Sequence, residues 1–118
     1  EIVRKTIETM TRNFATKPDK LKVAIGPSIS PSVYEVGAEV KEQFLQTDPN
    51  YATCFAPFKN QKHLLDLWNA NHYQLTKSGI DPENIDIAEM CTFTENNRFY
   101  SARREGTDTG RNAAIIIL

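Results

Sequence analysis

Cysteine and histidine are scarce in this sequence, and neither sign of charge is in excess. The 118 residues include two cysteines and two histidines, and the formal net charge at pH 7 is −1. Two cysteines are too few to make a disulfide framework. A nearly neutral chain creates no general field for polyanions, so we expect neither nucleic acid nor an acidic membrane to be the main partner.

Long apolar runs and targeting signals are also missing. The sequence has no stretch of 18 apolar residues, so no transmembrane helix is predicted. Its first residues do not follow the pattern of a signal peptide. Together with Cys54 and Cys91, which we expect to be reduced and buried, these absences favour a cytoplasmic protein.

The residues that could bind a metal lack the spacing of ligands. His63 and His72 lie nine positions apart, whereas histidine ligands on a helix are spaced three or four apart. We therefore expect no metal site within this chain and place both histidines at the surface or at helix ends. Cys91 is a weak candidate for a catalytic nucleophile, because no base lies beside it in the sequence.

Apolar residues at helical spacing predict three helices. They cover residues 3–14, 32–44 and 60–78. The stripe of the first helix includes Ile7 and Phe14. The second helix is expected to begin with a capping box, in which Ser32 is the N-cap and Glu35 follows three residues later. Gly79 is expected to end the third helix.

Short aliphatic runs predict strands between these helices. They cover residues 21–25, 54–58, 85–87 and 113–118, and residues 98–101 are predicted as strand or turn. Pro57 places the second strand at an edge or an end. The unbroken apolar run at 113–118 suits a central strand that is covered on both faces. The pattern predicts an α/β fold, with helices packed on a mixed β-sheet in one domain over residues 1–118.

The loop at residues 26–31 is the first candidate site. It follows a predicted strand, and in α/β folds the loop after the carboxyl end of a strand faces the ligand crevice. The predicted helix start beyond it would offer free N–H groups, while Ser28 and Ser30 add hydroxyls and Tyr34 and Glu35 could line the loop. No nucleotide-binding glycine pattern is present. A turn that the two prolines merely stiffen is the plainer alternative.

Arg103, Arg104 and Arg111 form the second candidate site, around a predicted hairpin. A guanidinium group presents a fixed fork of donors that suits phosphate or carboxylate. Neighbouring strand residues point to opposite faces, so we expect one of Arg103 and Arg104 to face an anion. The other is expected to pair with a carboxylate such as Glu105 or Asp108. The spacing does not decide which arginine does which, and a solvated hairpin edge is the alternative.

Seven short motifs occur in a fixed order along the chain. They are Gly26-Pro27-Ser28-Ile29, Tyr34-Glu35-Val36-Gly37, Leu65-Asp66-Leu67-Trp68, Cys91-Thr92, Phe99-Tyr100-Ser101, Arg103-Arg104 and Thr109-Gly110-Arg111. In this order they resemble the C-terminal half of the YfiH-like laccase-domain family, also called multicopper polyphenol oxidase-like proteins. Ser30 stands where that family commonly has glycine, and Ala102 stands where an aromatic residue, usually tyrosine, precedes the arginine pair.

The resemblance implies a YfiH-like fold of which this chain is a partial domain, the C-terminal half. It implies a purine nucleoside phosphorylase, which converts adenosine or inosine and phosphate into free base and ribose 1-phosphate, with adenosine deamination as a related activity. The partners so implied are a purine nucleoside, phosphate and the missing N-terminal half of the same domain. The residues implied to bind substrate or anion are Gly26, Ser28, Ser30, Tyr34, Arg103, Arg104 and Arg111.

The resemblance also implies a metal, which is zinc or, in an older assignment, copper. In that family a His-Ala-Gly-Trp-Arg-Gly motif and an Asp-Cys motif supply the ligands, and neither motif occurs here. Other functions stay open beside the phosphorylase. They are a non-catalytic structural or nucleoside-binding fragment, a copper-dependent polyphenol oxidase, and a thiol hydrolase built on Cys91.

Overall fold

The computed structural model describes residues 2–117 and has the predicted α/β character. Its four α-helices are α1 (Ile2–Phe14), α2 (Ala38–Thr47), α3 (Leu67–Lys77) and α4 (Ala102–Glu105). Its five strands are β1 (Val23–Ile25), β2 (Glu35–Val36), β3 (Phe55–Pro57), β4 (His63–Leu65) and β5 (Ile85–Ile87). None of the helices within the described residues is long and apolar enough to cross a membrane.

Parallel and antiparallel pairing are both present, divided between two small sheets. β1 and β5 pair in parallel, with Val23 opposite Ile85. β2 and β3 both pair antiparallel with β4, which gives the order β2-β4-β3. Pro57 is the last residue of β3, an edge strand, which agrees with the position predicted from its missing N–H.

Two hydrophobic clusters hold these elements together. The larger cluster joins the three-stranded sheet to α2 and α3, and its buried members are Val36, Tyr51, Cys54, Leu65 and Ala70. The smaller cluster joins α1 to α3 and the parallel pair, and its buried members are Ile7, Leu75 and Ile80. The two clusters therefore meet along α3, which supplies buried side chains to both.

α1 confirms the first predicted helix but only part of its apolar stripe. Ile7 is buried, and Val3 packs half-buried against the smaller cluster. Phe14, which was predicted to lie on the same stripe, is 76% exposed. The helix ends at Phe14, and Ala15 then takes a φ of 53°, in the left-handed region, so the chain turns before Phe14 can be covered.

The predicted helix start at Ser32 is wrong. Residues 31–33 form a turn, and the N–H groups of Val33 and Tyr34 both donate to the carbonyl of Ser30. α2 begins only at Ala38. The loop at 26–31 is thus followed by a turn and a strand, so no helix N-terminus adjoins it.

Strand pairing replaces the predicted capping box. Glu35 and Val36 form β2 and pair with β4. Val36 is buried in the larger cluster, while the carboxylate of Glu35 forms an ion pair with Lys62 nearer the surface. This alternation of an inward and an outward side chain suits a strand. Gly37 then takes the N-cap position of α2.

The third predicted helix is shorter than residues 60–78. His63–Leu65 forms β4, and α3 begins after Asp66, whose carboxylate accepts a backbone N–H of the first turn at 2.9 Å. Leu65 is 1% exposed, and its burial in the middle strand of the sheet explains why pairing prevailed over helix. Gly79 ends α3 as predicted, with a φ of 90° that favours glycine.

The predicted central strand at residues 113–118 is wrong for the residues that the structure describes. Residues 113–117 have no regular secondary structure, and Ile115, Ile116 and Ile117 are 86%, 70% and 89% exposed. Leu118 lies outside the described residues. A strand covered on both faces needs neighbours, and within residues 2–117 no strand pairs with this segment.

Candidate functional site

The candidate site lies beyond the carboxyl ends of the parallel strands β1 and β5. Past these strands the two segments continue side by side, because Ser28 and Cys91 form a further parallel bridge. The N–H of Thr92 donates to the Ser28 carbonyl at 3.1 Å. The loop at 26–31 and the turn after Cys91 are thereby fixed against each other, at the edge where α/β folds place ligands.

Ser28 ties the loop to α3. Its Oγ accepts a hydrogen bond from Nε1 of Trp68 at 2.7 Å. Trp68 is half-buried in the first turn of α3. Because a serine hydroxyl both donates and accepts, Ser28 keeps a proton that it can donate to a ligand.

Ser30 and Cys91 are bonded to each other inside the site. They are 9% and 7% exposed, and the N–H of Ser30 donates to Sγ of Cys91 at 3.3 Å. The hydroxyl of Ser30 lies 3.0 Å from that of Ser32. The side chain that replaces the family's common glycine is therefore accommodated by a hydroxyl partner within the loop.

The thiol of Cys91 is acidic for a buried cysteine. Burial by itself raises its pKa, but hydrogen bonds to the sulfur from Ser30 and Thr94 outweigh this effect and lower the pKa to about 6. At neutral pH the thiolate is therefore favoured, and it accepts the bonds that order the loop. Cys54, by contrast, lies in the larger cluster, where burial raises its pKa. Both cysteines are free and buried, as predicted.

The predicted hairpin at the arginines is wrong, because Ala102–Glu105 forms the short helix α4. Of residues 98–101, which were predicted as strand or turn, only Arg98 lies in a turn, and residues 99–101 have no regular secondary structure. Successive residues of a helix are rotated by about 100°. Arg103 and Arg104 consequently diverge and have different surroundings.

Arg104 fastens α4 to the turn that follows Cys91. Its Nη1 donates to the carbonyls of Thr92 and Phe93 at 2.9 and 2.5 Å, and its Nη2 donates to the carbonyl of Phe99 at 2.8 Å. Nη2 also lies 2.8 Å from Oε1 of Glu105, which is the kind of ion pair predicted for one of the two arginines. Its donors are directed at the protein itself.

Arg111 and Glu105 organise the loop after α4. Arg111 donates to the carbonyls of Thr107, Thr109 and Gly110. Hydrogen bonds from the Thr109 hydroxyl and from Arg104 lower the pKa of Glu105 to about 2, so this carboxylate stays charged. The guanidinium of Arg111 is exposed but already engaged by its own loop.

Arg103 is the arginine whose donors are available. The central carbon of its guanidinium lies 5.2 Å from the centre of the Tyr34 ring. Among the described residues it has neither a hydrogen-bond acceptor nor a carboxylate partner. It lines a cavity of about 440 Å³ beside β2 and the start of α2.

The cavity beside Arg103 carries charges of both signs. Lys62 bonds to Glu35, and this bond, with further attraction from Lys59 and Arg103, lowers the pKa of Glu35. Glu39 completes the polar lining. A Cβ added at the neighbouring Gly37 would lie 2.1 Å from Oε2 of Glu39, so the glycine leaves room for that carboxylate.

The two histidines lie on different elements, His63 in β4 and His72 in α3. Both are half-buried, and neither lies at a helix end, because His63 is in a strand and His72 is in the middle of α3. Nε2 of His63 lies 3.3 Å from Nζ of Lys41. Within residues 2–117, no group of three or more His, Cys, Asp or Glu residues is arranged to hold a metal ion.

Sequence reasoning missed several residues of this site, among them Trp68 and Lys62. Trp68 belongs to one of the ordered motifs, but its hydrogen bond to Ser28 depends on the packing of the loop against α3, which the sequence does not show. Lys62 had no signal of its own, because its role depends on the antiparallel pairing that brings it to Glu35.

Comparison with known proteins places the chain among longer relatives. A family model described as multi-copper polyphenol oxidoreductase laccase matches residues 1–118. The chain is 36% identical over 118 residues to a purine nucleoside phosphorylase of Bacteroides thetaiotaomicron. This alignment covers 99% of this chain and 44% of that protein. It is 36% identical over 112 residues to adenosine deaminase RL5 of an unknown prokaryotic organism, over 93% of this chain and 42% of that protein.

Solved structures show the same fold. The crystal structure of the Bacillus licheniformis hypothetical protein YfiH superposes with a TM-score of 0.82 at 26% identity, over 87% of this chain and 39% of that one. The predicted YfiH-like fold is thus confirmed. The chain spans less than half of the length of each of these relatives.

Proposed function

The chain belongs to the multi-copper polyphenol oxidoreductase laccase family, and from this premise we propose that it is part of a purine nucleoside phosphorylase. The name of the Bacteroides thetaiotaomicron relative supports this activity. Residues 1–118 are then the C-terminal half of one YfiH-like domain, and the other half of that domain is a partner of this one. The substrates are a purine nucleoside, adenosine or inosine, and inorganic phosphate.

In this reaction an oxygen of phosphate forms a bond to C1′ of the ribose as the bond from C1′ to the purine breaks. The electron pair of the broken bond leaves with the purine, which takes up a proton, and the products are free base and ribose 1-phosphate. Phosphate must be held and oriented by fixed cations and donors. The observation that carries the proposal is the guanidinium of Arg103, which has no hydrogen-bond acceptor among the described residues and lies over the ring of Tyr34, whose N–H donates to the carbonyl of Ser30 in the loop.

Ser28 and Ser30 contribute to this site in different ways. Ser28 is held by Trp68 and retains a proton for a ligand oxygen. Ser30 is held by Cys91 and fixes the course of the loop. Cys91 is then a positioning residue, because its sulfur is bonded to Ser30 and Thr94, neither of which is a general base. This arrangement favours phosphorolysis over a thiol hydrolase.

The donors of this chain do not fit the metal that the family description implies. His63 and His72 lie on separate elements, and the described residues offer no cluster of suitable ligands. We therefore assign no step of the reaction in this half to a metal. Zinc, or copper as the alternative, belongs in this proposal to ligands in the other half of the domain.

Adenosine deamination is a second candidate activity, because one relative is named adenosine deaminase. It replaces the 6-amino group by hydroxyl and releases ammonia, whereas phosphorolysis releases adenine. The products therefore separate the two activities. We place both in the cytoplasm, in line with the two free cysteines, Cys54 and Cys91.

The test uses the natural full-length protein that contains this chain. Inosine and adenosine are incubated with and without phosphate, and base, ribose 1-phosphate and ammonia are quantified. We expect base release that depends on phosphate. Base release without phosphate would indicate a hydrolase, and oxygen uptake with a phenol would favour the polyphenol oxidase. Absence of all these products would favour a non-catalytic fragment.

A further inference from the structure

The cavity beside Arg103 is built for a ligand with two kinds of polar group. Its lining brings together Tyr34, Glu35, Gly37, Glu39, Lys62 and Arg103. We propose that this cavity binds the phosphorylated pentose of the substrate or product, a ribose phosphate, with its phosphate on Arg103 and Lys62 and its hydroxyls on Glu35 and Glu39. The inference rests on the proposed phosphorolysis and names the part of the ligand that this site holds.

The cationic side of the cavity is preorganised. The guanidinium of Arg103 lies over the Tyr34 ring, with 5.2 Å between the guanidinium carbon and the ring centre. Such a cation–π contact uses none of the N–H groups in a conventional hydrogen bond, so they remain available to a ligand. A planar fork of this kind matches two oxygens of a phosphate. Lys62 adds an ammonium group in the same lining.

The anionic side of the cavity offers partners that a pentose can use and phosphate alone cannot. Ionised carboxylates are acceptors only, so Glu35 and Glu39 suit the hydroxyl donors of a sugar. Carboxylates bind ribose hydroxyls in this way in dinucleotide-binding folds. Glu35 already accepts from Lys62, whereas Glu39 has no hydrogen-bond or ion-pair partner among the described residues. Glu39 is therefore the acceptor most available to a sugar hydroxyl.

The size and lining of the cavity favour a sugar over a purine. A volume of about 440 Å³ lies within the range of about 300–1,000 Å³ typical of small-molecule sites. A flat base needs an open aromatic or apolar face, but Tyr34, the aromatic side chain in this lining, is covered by Arg103. Val36 and Val40 supply the remaining apolar surface, and Val36 is buried.

Titration calorimetry on the natural full-length protein tests the proposal with three probes. Ribose 5-phosphate, a stable ribose phosphate, is compared with inorganic phosphate and with ribose. We expect ribose 5-phosphate to bind at least about tenfold more tightly than either of the others, because it alone uses both sides of the cavity. Equal affinity for ribose 5-phosphate and inorganic phosphate would overturn the proposal.

Two variants separate the two sides of the cavity. Arg103→Gln is expected to weaken ribose 5-phosphate and phosphate alike, by about tenfold or more. Glu39→Gln is expected to weaken ribose 5-phosphate about threefold to tenfold and to leave phosphate unchanged or tighter. Arg98→Gln is the control, since Arg98 pairs with Glu95 away from this lining, and it should bind like the wild type. An unchanged affinity in Arg103→Gln would contradict the proposal.

The outcomes distinguish this inference from the proposed function. If the variants change ribose phosphate binding as expected but the protein does not catalyse phosphorolysis, the cavity assignment holds and the proposed reaction is wrong. If Arg103→Gln and Glu39→Gln leave phosphorolysis unaffected, the proposed reaction holds and the cavity assignment is wrong. Thermal melting checks that each variant is folded, and Arg103→Lys keeps the charge but removes the fork if Arg103→Gln is unstable.

Discussion

The two hydrophobic clusters of this chain differ in how completely they are enclosed. In the larger cluster Tyr51 and Leu65 are 3% and 1% exposed, and the Tyr51 ring makes edge contacts with Phe44 and Tyr73 at 5.1 Å. The smaller cluster, in contrast, adjoins an apolar cavity of about 460 Å³ between α1 and β1. One region is sealed by its own residues, and the other still presents apolar surface.

The less enclosed region includes the parallel pair of strands. A parallel sheet is normally covered on both faces, yet every residue of β1 and β5 is at least partly exposed. The exposed Ile115, Ile116 and Ile117 add further apolar surface. Because the relatives are more than twice as long, we propose that the other half of the domain covers this open region.

Leu65→Ala should have the largest effect, because it opens the sealed cluster. Leu65 is the most completely buried large side chain among the described residues. Truncating a buried leucine typically costs about 2–5 kcal/mol, and we expect about 3–4 kcal/mol here, measured by urea unfolding. Ile116→Ala, on the exposed segment, should change the free energy of unfolding by less than about 0.5 kcal/mol. If the two variants lose similar amounts of unfolding free energy, the two regions do not differ in how much their side chains stabilise the fold.

Asp48→Asn should have the next largest effect on stability, through charge instead of packing. Asp48 is 5% exposed; its carboxylate accepts from the Asn50 N–H at 2.9 Å, the Tyr73 hydroxyl at 2.7 Å and Lys77. The bond from Lys77, followed by those from Asn50 and Tyr73, holds the pKa of Asp48 well below its usual range. The amide keeps the shape but loses the charge that these three donors stabilise.

The pH dependence identifies the cause of that loss. A carboxyl whose pKa is depressed by folding stabilises the protein above its unfolded pKa, and this stabilisation is lost as the pH falls toward the folded value. The difference in unfolding free energy between wild type and Asp48→Asn should therefore be constant near neutral pH. It should shrink as the pH falls below 3.8, the ordinary pKa of an aspartate side chain. Unfolding curves at intervals from pH 7 to pH 2 measure it. A gap that does not change with pH would assign the effect to packing.

Arg103→Gln should lower activity and leave stability nearly unchanged, because Arg103 lies at the surface cavity beside β2 and has no hydrogen-bond or ion-pair partner among the described residues. We expect kcat/KM for phosphorolysis to fall by about 10- to 100-fold, because a charge-assisted contact to phosphate is lost at a partly exposed site.

Cys91→Ser should lower kcat/KM by less than about tenfold, since phosphate and not a thiolate is the nucleophile. An inactive Cys91→Ser beside an active Arg103→Gln would favour the thiol enzyme.

The sequence predicted elements whose signals are local. The stripe around Ile7, the left-handed Gly79, the alternating Ile85–Ile87 and the edge position of Pro57 each depend on a few neighbouring residues. β2 and β4 were missed because their conformation depends on pairing with each other across the chain. Leu65 fits a helical stripe equally well until a strand lies beside it.

For the site, the sequence predicted the segments but not their roles. The bridge from Ser28 to Cys91 joins the loop at 26–31 to the turn that Arg104 contacts, whereas Arg111 bonds to its own loop. Which arginine is available depends on carbonyl acceptors, such as those of Thr92 and Phe93, that exist only in the folded turn. No spacing rule could have placed these oxygens around Arg104 and left Arg103 free.

Cys91→Ser should lower stability modestly at neutral pH, and the size of this loss should depend on pH. Folding lowers the pKa of this thiol from 9.0 to about 6, so its thiolate contributes stability that is fully present above pH 9 and is lost as the pH falls through 6. At pH 7 the contribution is about 1 kcal/mol, because the thiolate is favoured in the folded state while the unfolded thiol is still protonated.

Urea unfolding of wild type and Cys91→Ser at pH 6, 7 and 8 measures this contribution, and the gap between them should widen as the pH rises. Cys54→Ala is the matched control, because Cys54 is also free and buried but burial raises its pKa. Its cost should not grow between pH 6 and 8, since a thiol that stays protonated adds no charge-dependent stability. Parallel behaviour of the two cysteines would show that the sulfur of Cys91 is only packed. A difference in unfolding free energy that widens only for Cys91→Ser would show that the Cys91 thiolate stabilises the loop at Ser30. Cys54, in the larger cluster, would then make no such pH-dependent contribution.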